Sequence, residues 1–220
     1  MSYQNGPRIV TNGLVLCLDA GNSKSYAGSG TTWYDLSGNN RNGTLVNSPS
    51  FNTSNKGIID FDGVNDTINI SPFVSPVIYT VFCVFKINGT QPTNGSVILG
   101  KRTVGCYNSA IYLNGTSSPS LTSYKAGPEQ VIKSNMPNNT WHHLCVLRKS
   151  SGTDFYLNGV YTIGYASIFD NNQLIENIGS SCTSANPFLG SIALLQCYSY
   201  EFSAIEIKQN FNAIKGRFGL

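Results

Sequence analysis

Four glutamates, Glu129, Glu176, Glu201 and Glu206, and two histidines, His142 and His143, are the natural places to look for acid–base chemistry in this sequence. Cleaving a glycosidic bond takes two carboxylates flanking it, one acid and one base or nucleophile. These glutamates are scattered singly, and Glu206 has a structural use described below. Neighbouring residues on a strand point to opposite faces, so His142 and His143 do not act on one substrate or metal. No G-x-S-x-G elbow presents a serine nucleophile. The expectation is a protein that is not an enzyme.

Two other groupings have chemical potential. Asp60, Asp62, Asn65 and Asp66 form the one local acidic cluster. Close-set hard oxygens are what calcium takes, at ~6–8 per ion, so Asp62, Asn65 and Asp66 are the candidate metal ligands. The competing use is local, since Asp and Asn in turns bond to their own backbone. Sugars are bound by exposed rings, on which their C–H faces stack, together with polar groups that pair with hydroxyls. Trp33, Tyr34, Tyr107 and Tyr124 lie in loop-like or edge contexts and are the candidate platform; Trp141 lies within a strand and reads as core.

Composition narrows the class further. Only 11% of the 220 residues are charged, against ~25% in ordinary globular chains, and the net charge is +3. The surface must therefore be built from Asn, Ser, Thr and Gly, with 25 Asn and 22 Gly. Lys101-Arg102 and Arg148-Lys149 are isolated pairs, not the clustered cations that grip a phosphate backbone, so nucleic acid is not expected as a partner. The N-terminus has no basic stretch followed by an apolar one, so no signal peptide is expected. No apolar run approaches the ~18 residues of a membrane span. Cys17, Cys83, Cys145 and Cys197 sit inside apolar runs and read as buried thiols; a bridge between Cys106 and Cys182 is the one disulfide left open.

The elements that must position these residues are strands. Asn-Gly occurs seven times, and this pair best tolerates the positive φ values of a tight hairpin turn. Asp154–Leu157 and Val160–Ile163 flank Asn158-Gly159 as a hairpin. Further strands are expected over 13–19, 57–62, 67–70, 77–87, 96–99, 109–113, 140–148 and 189–200. Short strands separated by Gly, Pro, Asn and Ser indicate an antiparallel sandwich or barrel. Trp141 to Leu147 is apolar on both parities, so this strand is covered on both faces. Residues 1–12 read as a polar N-terminal arm, able to pair with a partner's strand edge or to hang loose, and 13–220 as one domain.

One helix is expected near the end. Ser203-Ala204-Ile205-Glu206 fits a capping box, Phe202 can staple onto Ile207, and Ile207, Phe211 and Ile214 make one apolar stripe.

Several segments resemble laminin-G-like, concanavalin A-like domains. They are Ile59-Asp60-Phe61-Asp62-Gly63-Val64-Asn65-Asp66, Trp141-His142-His143-Leu144, Phe155-Tyr156-Leu157-Asn158-Gly159, and Phe188-Leu189-Gly190-Ser191-Ile192 with Tyr198 and the final helix. The resemblance implies an all-β jelly roll of two antiparallel sheets with one short C-terminal helix. Glucanases of that fold carry E-x-D-x-x-E or E-x-D-x-E on one strand, and no glutamate here has such neighbours. Gly13 to Tyr26, Trp33 to Asn39 and Asn210 to Gly219 look like laminin-G-like domains of tailed bacteriophages, whose members are fibres, tail appendages or capsid decorations. That likeness implies a non-enzymatic virion accessory protein assembled in the host cytoplasm. Its partners would be other virion proteins, further copies of itself and host-surface glycans. The alternative is a free-standing carbohydrate-binding module that uses calcium.

Overall fold

The computed structural model describes residues 7–71, 78–93, 95–100, 110–124, 129–166, 175–181 and 186–220. Among them are sixteen strands and one long helix. One sheet runs in the order β14 (Val160–Tyr165), β13 (Gly152–Leu157), β12 (Trp141–Lys149), β7 (Tyr79–Ile87), β16 (Leu189–Tyr198), β5 (Ile58–Asp62) and β4 (Ser50–Asn52). β1 (Leu14–Asp19) shares an edge of β16 with β5: Leu189 to Ile192 pair with β5, and Leu194 to Tyr198 pair with β1. The second sheet runs β11 (Gln130–Lys133), β10 (Ser120–Tyr124), β9 (Ala110–Asn114), β8 (Ser96–Gly100), β15 (Asn177–Ile178), β6 (Thr67–Ile70), β3 (Gly43–Val46) and β2 (Thr32–Trp33). Every pairing between these strands is antiparallel.

The core lies between the sheets. Leu16, Leu18, Ile59, Phe61, Cys83, Phe85, Leu144, Val146 and Ile192 from the first meet Trp33, Leu45, Ile68, Ile70, Ile111, Leu113 and Ile178 from the second in one cluster. The alternate positions of the first sheet, Phe82, Val84, Trp141, His143, Cys145 and Leu147, form its outer face. They are apolar because α1 (Ala204–Phe218) lies over them, placing Ile207 and Phe218 in the same clusters. β12 is thus covered on both sides, as its pattern requires.

The capping box is complete: Ser203 Oγ accepts from Glu206 N–H, and the Glu206 carboxylate accepts from Ser203 N–H at 2.8 Å. Those bonds hold the Glu206 carboxyl below its usual range. The helix runs past Ile214 to Phe218, which packs on Trp141 at 4.8 Å between ring centroids. At its far end Arg217 bonds Asp19 Oδ1, Asn55 O and Gly57 O. Part of the N-terminal arm is held in cis. Val10 N–H donates to Asn210 Oδ1 and its carbonyl accepts from Tyr198 Oη, while Gln209 Nε2 donates to Arg8 O.

Candidate functional site

Each sheet has an inner and an outer face. Both inner faces are spent on the core, and α1 with residues 8–10 covers the central strands of the first sheet's outer face, leaving Val160 and Tyr161 of β14 exposed. Among the described residues, the outer side of the second sheet is open to solvent at β3 and β6 and buried toward β15 and β8.

Its composition follows from strand alternation. In β3, β6 and β15 the inward positions are Leu45, Ile68, Ile70 and Ile178, so the residues between them, Thr44, Asn69 and Asn177, face outward. Register then aligns them. Thr32 is opposite Thr44, Thr44 opposite Asn69, Asn69 opposite Asn177, and Asn177 opposite Gly100. Four hydroxyl or amide side chains therefore stand in one rung across four strands, over three strand spacings of ~4.8 Å, or roughly 14 Å.

The two ends of this rung differ. Thr44 is exposed and Thr32 and Asn69 are half-buried. Among the described residues, none of the three makes a side-chain hydrogen bond. Asn177 is 1% exposed. Its Nδ2 donates to Ser181 O at 3.3 Å, and its Oδ1 has no partner. Ser180 and Ser181 wall off that end. Ser180 Oγ donates to Thr67 Oγ1 at 2.8 Å, and a Cβ on Gly100 would stand 3.1 Å from Ser180 O. Gly100 leaves room where a side chain would collide.

The aromatic candidates separate. Trp33 is fully buried in the core, which corrects its expected place in an exposed platform. β2 pairs through Thr32 and Trp33, and alternation turns the indole inward. Tyr34, two residues beyond Thr32, is 52% exposed. Its backbone is fixed on both sides by buried Ser25: Tyr34 N–H donates to Ser25 O at 2.7 Å, and Ser25 Oγ donates to Tyr34 O at 2.6 Å. Tyr124 ends β10 in register with Ala110. Tyr107, Cys106 and Cys182 lie outside the described residues.

The acidic cluster is a self-contained turn. Asp62 Oδ1 accepts from Val64 and Asn65 N–H, and Asp66 Oδ2 accepts from Asp62 N–H. Asp60 is bonded by Ser191 Oγ and Asn52 Nδ2. Only Asp66 Oδ1 is buried without a partner. Burial, and then the neighbouring Asp62 carboxylate, raise the Asp66 pKa. Among the described residues no three His, Cys, Asp or Glu side chains are grouped to hold a metal. Asp62, Asn65 and Asp66 do not fit calcium, which needs several free oxygens converging on one point.

The remaining chemical candidates are structural. His142 packs on Phe85 in the core, and His143 stacks on Phe82 on the opposite face. Cys17, Cys83, Cys145 and Cys197 are free and buried, and burial pushes the Cys17 thiol up to about 12. Asp35 is consumed by its loop: its carboxylate accepts from Cys17, Ser37 and Arg41 N–H.

Residues 62–208 match the family model of the concanavalin A-like lectin/glucanases superfamily. The chain belongs to this superfamily. Solved structures agree on the fold. Domain 4 of AbnA, an extracellular arabinanase from Geobacillus stearothermophilus, in complex with arabinotriose, is 18% identical with a TM-score of 0.68, covering 90% of this chain and 97% of that one. The binding domain of Paraclostridial Mosquitocidal Protein 1 is 13% identical with a TM-score of 0.69, covering 92% and 52%. Trypanosoma rangeli sialidase is 15% identical with a TM-score of 0.68; 93% of this chain corresponds to 33% of the sialidase. No curated protein matches the sequence. The lectin-like jelly roll has the architecture that the resemblance implies.

Of the aromatic residues singled out from the sequence, Tyr34 is exposed; the rung was not among the sequence candidates. The alternation Thr67-Ile68-Asn69-Ile70 marks a strand with polar outer positions, and that was its only local signal. β2, β3, β6 and β15 are brought together by pairings that no local pattern encodes.

Proposed function

We propose that this lectin-like domain is a non-enzymatic accessory protein of a tailed-phage virion, a capsid decoration, fibre or tail appendage, whose second sheet contacts host-surface glycans. The observation that carries the glycan reading is the uncharged row Thr32, Thr44 and Asn69 on a part of the second sheet's outer face that α1 and the core leave open. Hydroxyls and amides both donate and accept, as sugar hydroxyls do. AbnA domain 4, in complex with arabinotriose, supports the same reading through a shared fold.

A binding role without cleavage is supported by the carboxylates. Asp62 and Asp66 interact side by side in one turn, whereas glycosidic cleavage places its pair ~5–9.5 Å apart across the bond. Glu206 caps α1 and Glu129 accepts from Asn114 Nδ2. The virion reading rests on the likeness of Gly13 to Tyr26, Trp33 to Asn39 and Asn210 to Gly219 to laminin-G-like domains of tailed bacteriophages. Two measurements test the proposal. Mass spectrometry and electron microscopy of purified particles should find the protein on the virion, and its absence there removes the virion role. Polysaccharides incubated with the protein should release no new reducing ends, and reproducible hydrolysis removes the non-enzymatic role.

A further inference from the structure

The core between the two sheets contains no residue of α1. The helix packs instead on the outer face of the first sheet, over Phe82 and Val84 of β7 and Trp141, His143 and Cys145 of β12. Its removal would uncover that face and leave the sandwich core intact.

One residue under the helix can take a charge. His143 stacks on Phe82, Phe211 of α1 closes over it, and neither ring nitrogen has a hydrogen-bond partner. The groups around it supply no counter-ion. Lys208 and Lys215 of α1 stand at the Phe211 ring, Lys86 of β7 lies over Trp141, and Lys149 of β12 is bonded to Asp154 of β13. Cys145 and Tyr198, on the same face, stay protonated in acid because burial raises both pKa values. Asn158, at the turn after β13, is uncharged and accepts from the His143 backbone N–H. A proton added to the ring is therefore a buried charge without a partner, which is costly. Lifting the helix gives it water.

The start of α1 responds to acid in the same sense. The Glu206 carboxylate accepts from Ser203 N–H, Ser203 Oγ and Tyr200 Oη. The Ser203 bonds lower its pKa, so the cap is complete above the ordinary carboxylate value and is lost as pH falls through the lowered one. At the far end, Arg217 pairs with Asp19 and also holds two backbone carbonyls, which do not titrate in this range.

We propose that α1 is an acid-released cover: protonation of His143 beneath Phe211, joined by loss of the Glu206 cap, lifts the helix from β7 and β12 while the two-sheet sandwich stays folded. The proposal is independent of the glycan reading, which concerns the other sheet. Its sign follows from the two states of the ring. In water the imidazole takes its proton near pH 6.5, and under the helix only near pH 3. Between these values each unit of acidification favours the open helix by up to about tenfold.

The test is amide hydrogen exchange of the full chain by NMR from pH 6 to pH 4, corrected for intrinsic rates. The amides of Ile207 and Phe211 should open more readily than those of Phe85 and Leu144 in the central strands, as a separate unit. Their opening constant should grow by roughly a hundredfold over the two pH units. His143→Leu should remove most of that growth, and His143→Gln, which also cannot take the proton, carries the same test if the leucine variant does not fold. His142→Leu, on the core side of β12, should leave the pH dependence of helix opening unchanged. Helix amides that open only together with Phe85 and Leu144 would overturn the cover. Full pH dependence retained without the His143 imidazole would overturn the trigger.

Discussion

Phe211 of α1 lies 5.6 Å from the imidazole of His143, ring centroid to ring centroid, and completes the burial of that histidine against Phe82. Neither nitrogen of His143 has a hydrogen-bond partner. Lys208 and Lys215 stand 5.0 and 5.8 Å from the Phe211 ring. Burial pushes the His143 pKa down to about 3.

That depression makes stability depend on pH in a definite direction. The unfolded histidine takes its proton near pH 6.5, whereas the native one does so only near pH 3. As pH falls through this window the unfolded chain binds more protons, and stability drops by up to ~1.4 kcal/mol per unit. Above the window the full stability is present. His142 is lowered as well, chiefly by burial, and adds in the same sense. Urea unfolding of His143→Leu between pH 4 and 7 should show a visibly shallower slope than wild type. Parallel slopes would refute the assignment.

Arg217 ties the end of α1 to β1 and to the loop before β5 through three separate acceptors. The planar fork of arginine can reach all three, and a lysine ammonium cannot reproduce that geometry. Arg217→Ala should cost about 2 kcal/mol, the scale of charge-assisted hydrogen bonds. Arg217→Lys should recover less than half of it, measured by the denaturation midpoint.

Gly159 is required twice over. Its φ is +74°, and a Cβ there would meet the Phe211 ring at 2.6 Å. Gly89 has a similar φ of +82° with open space around it. Gly89→Ala should therefore cost about 1 kcal/mol for the backbone alone, and Gly159→Ala clearly more. Equal losses would show that the helix does not press on the turn.

Asp66 costs stability when it ionises. Its native pKa is raised, so its carboxyl favours folding at acid pH and opposes it once the unfolded value is passed. Asp66→Asn, which keeps an acceptor for Asp62 N–H, should raise the melting temperature at pH 7, with the gain fading toward pH 4. Millimolar calcium should leave the wild-type melting curve unchanged.

How far the sequence speaks depends on whether a feature is local. The capping box at Ser203 and Glu206, the Asn158-Gly159 hairpin and the two-sided burial of Trp141 to Leu147 each rest on neighbouring residues, and each is present. Asn158 does more than turn: its Oδ1 accepts from His143 N–H, 15 positions away. β2 and β15, with two residues each, carry no periodicity that would reveal them. Trp33 in a polar loop-like stretch reads as exposed until the pairing of Thr32 with Thr44 turns it inward. The rung joins positions 32, 44, 69 and 177, and only sheet register places them side by side.

Titration of the isotope-labelled protein with an array-selected oligosaccharide, followed by amide NMR, puts the account to its most direct test. The side-chain amide signals of Asn69 should shift first, with Thr44 backbone signals, while those of Ile207 and Asn210 on α1 stay in place. Shifts concentrated on α1 and the N-terminal segment, with Asn69 and Thr44 unmoved, would contradict a glycan-facing second sheet.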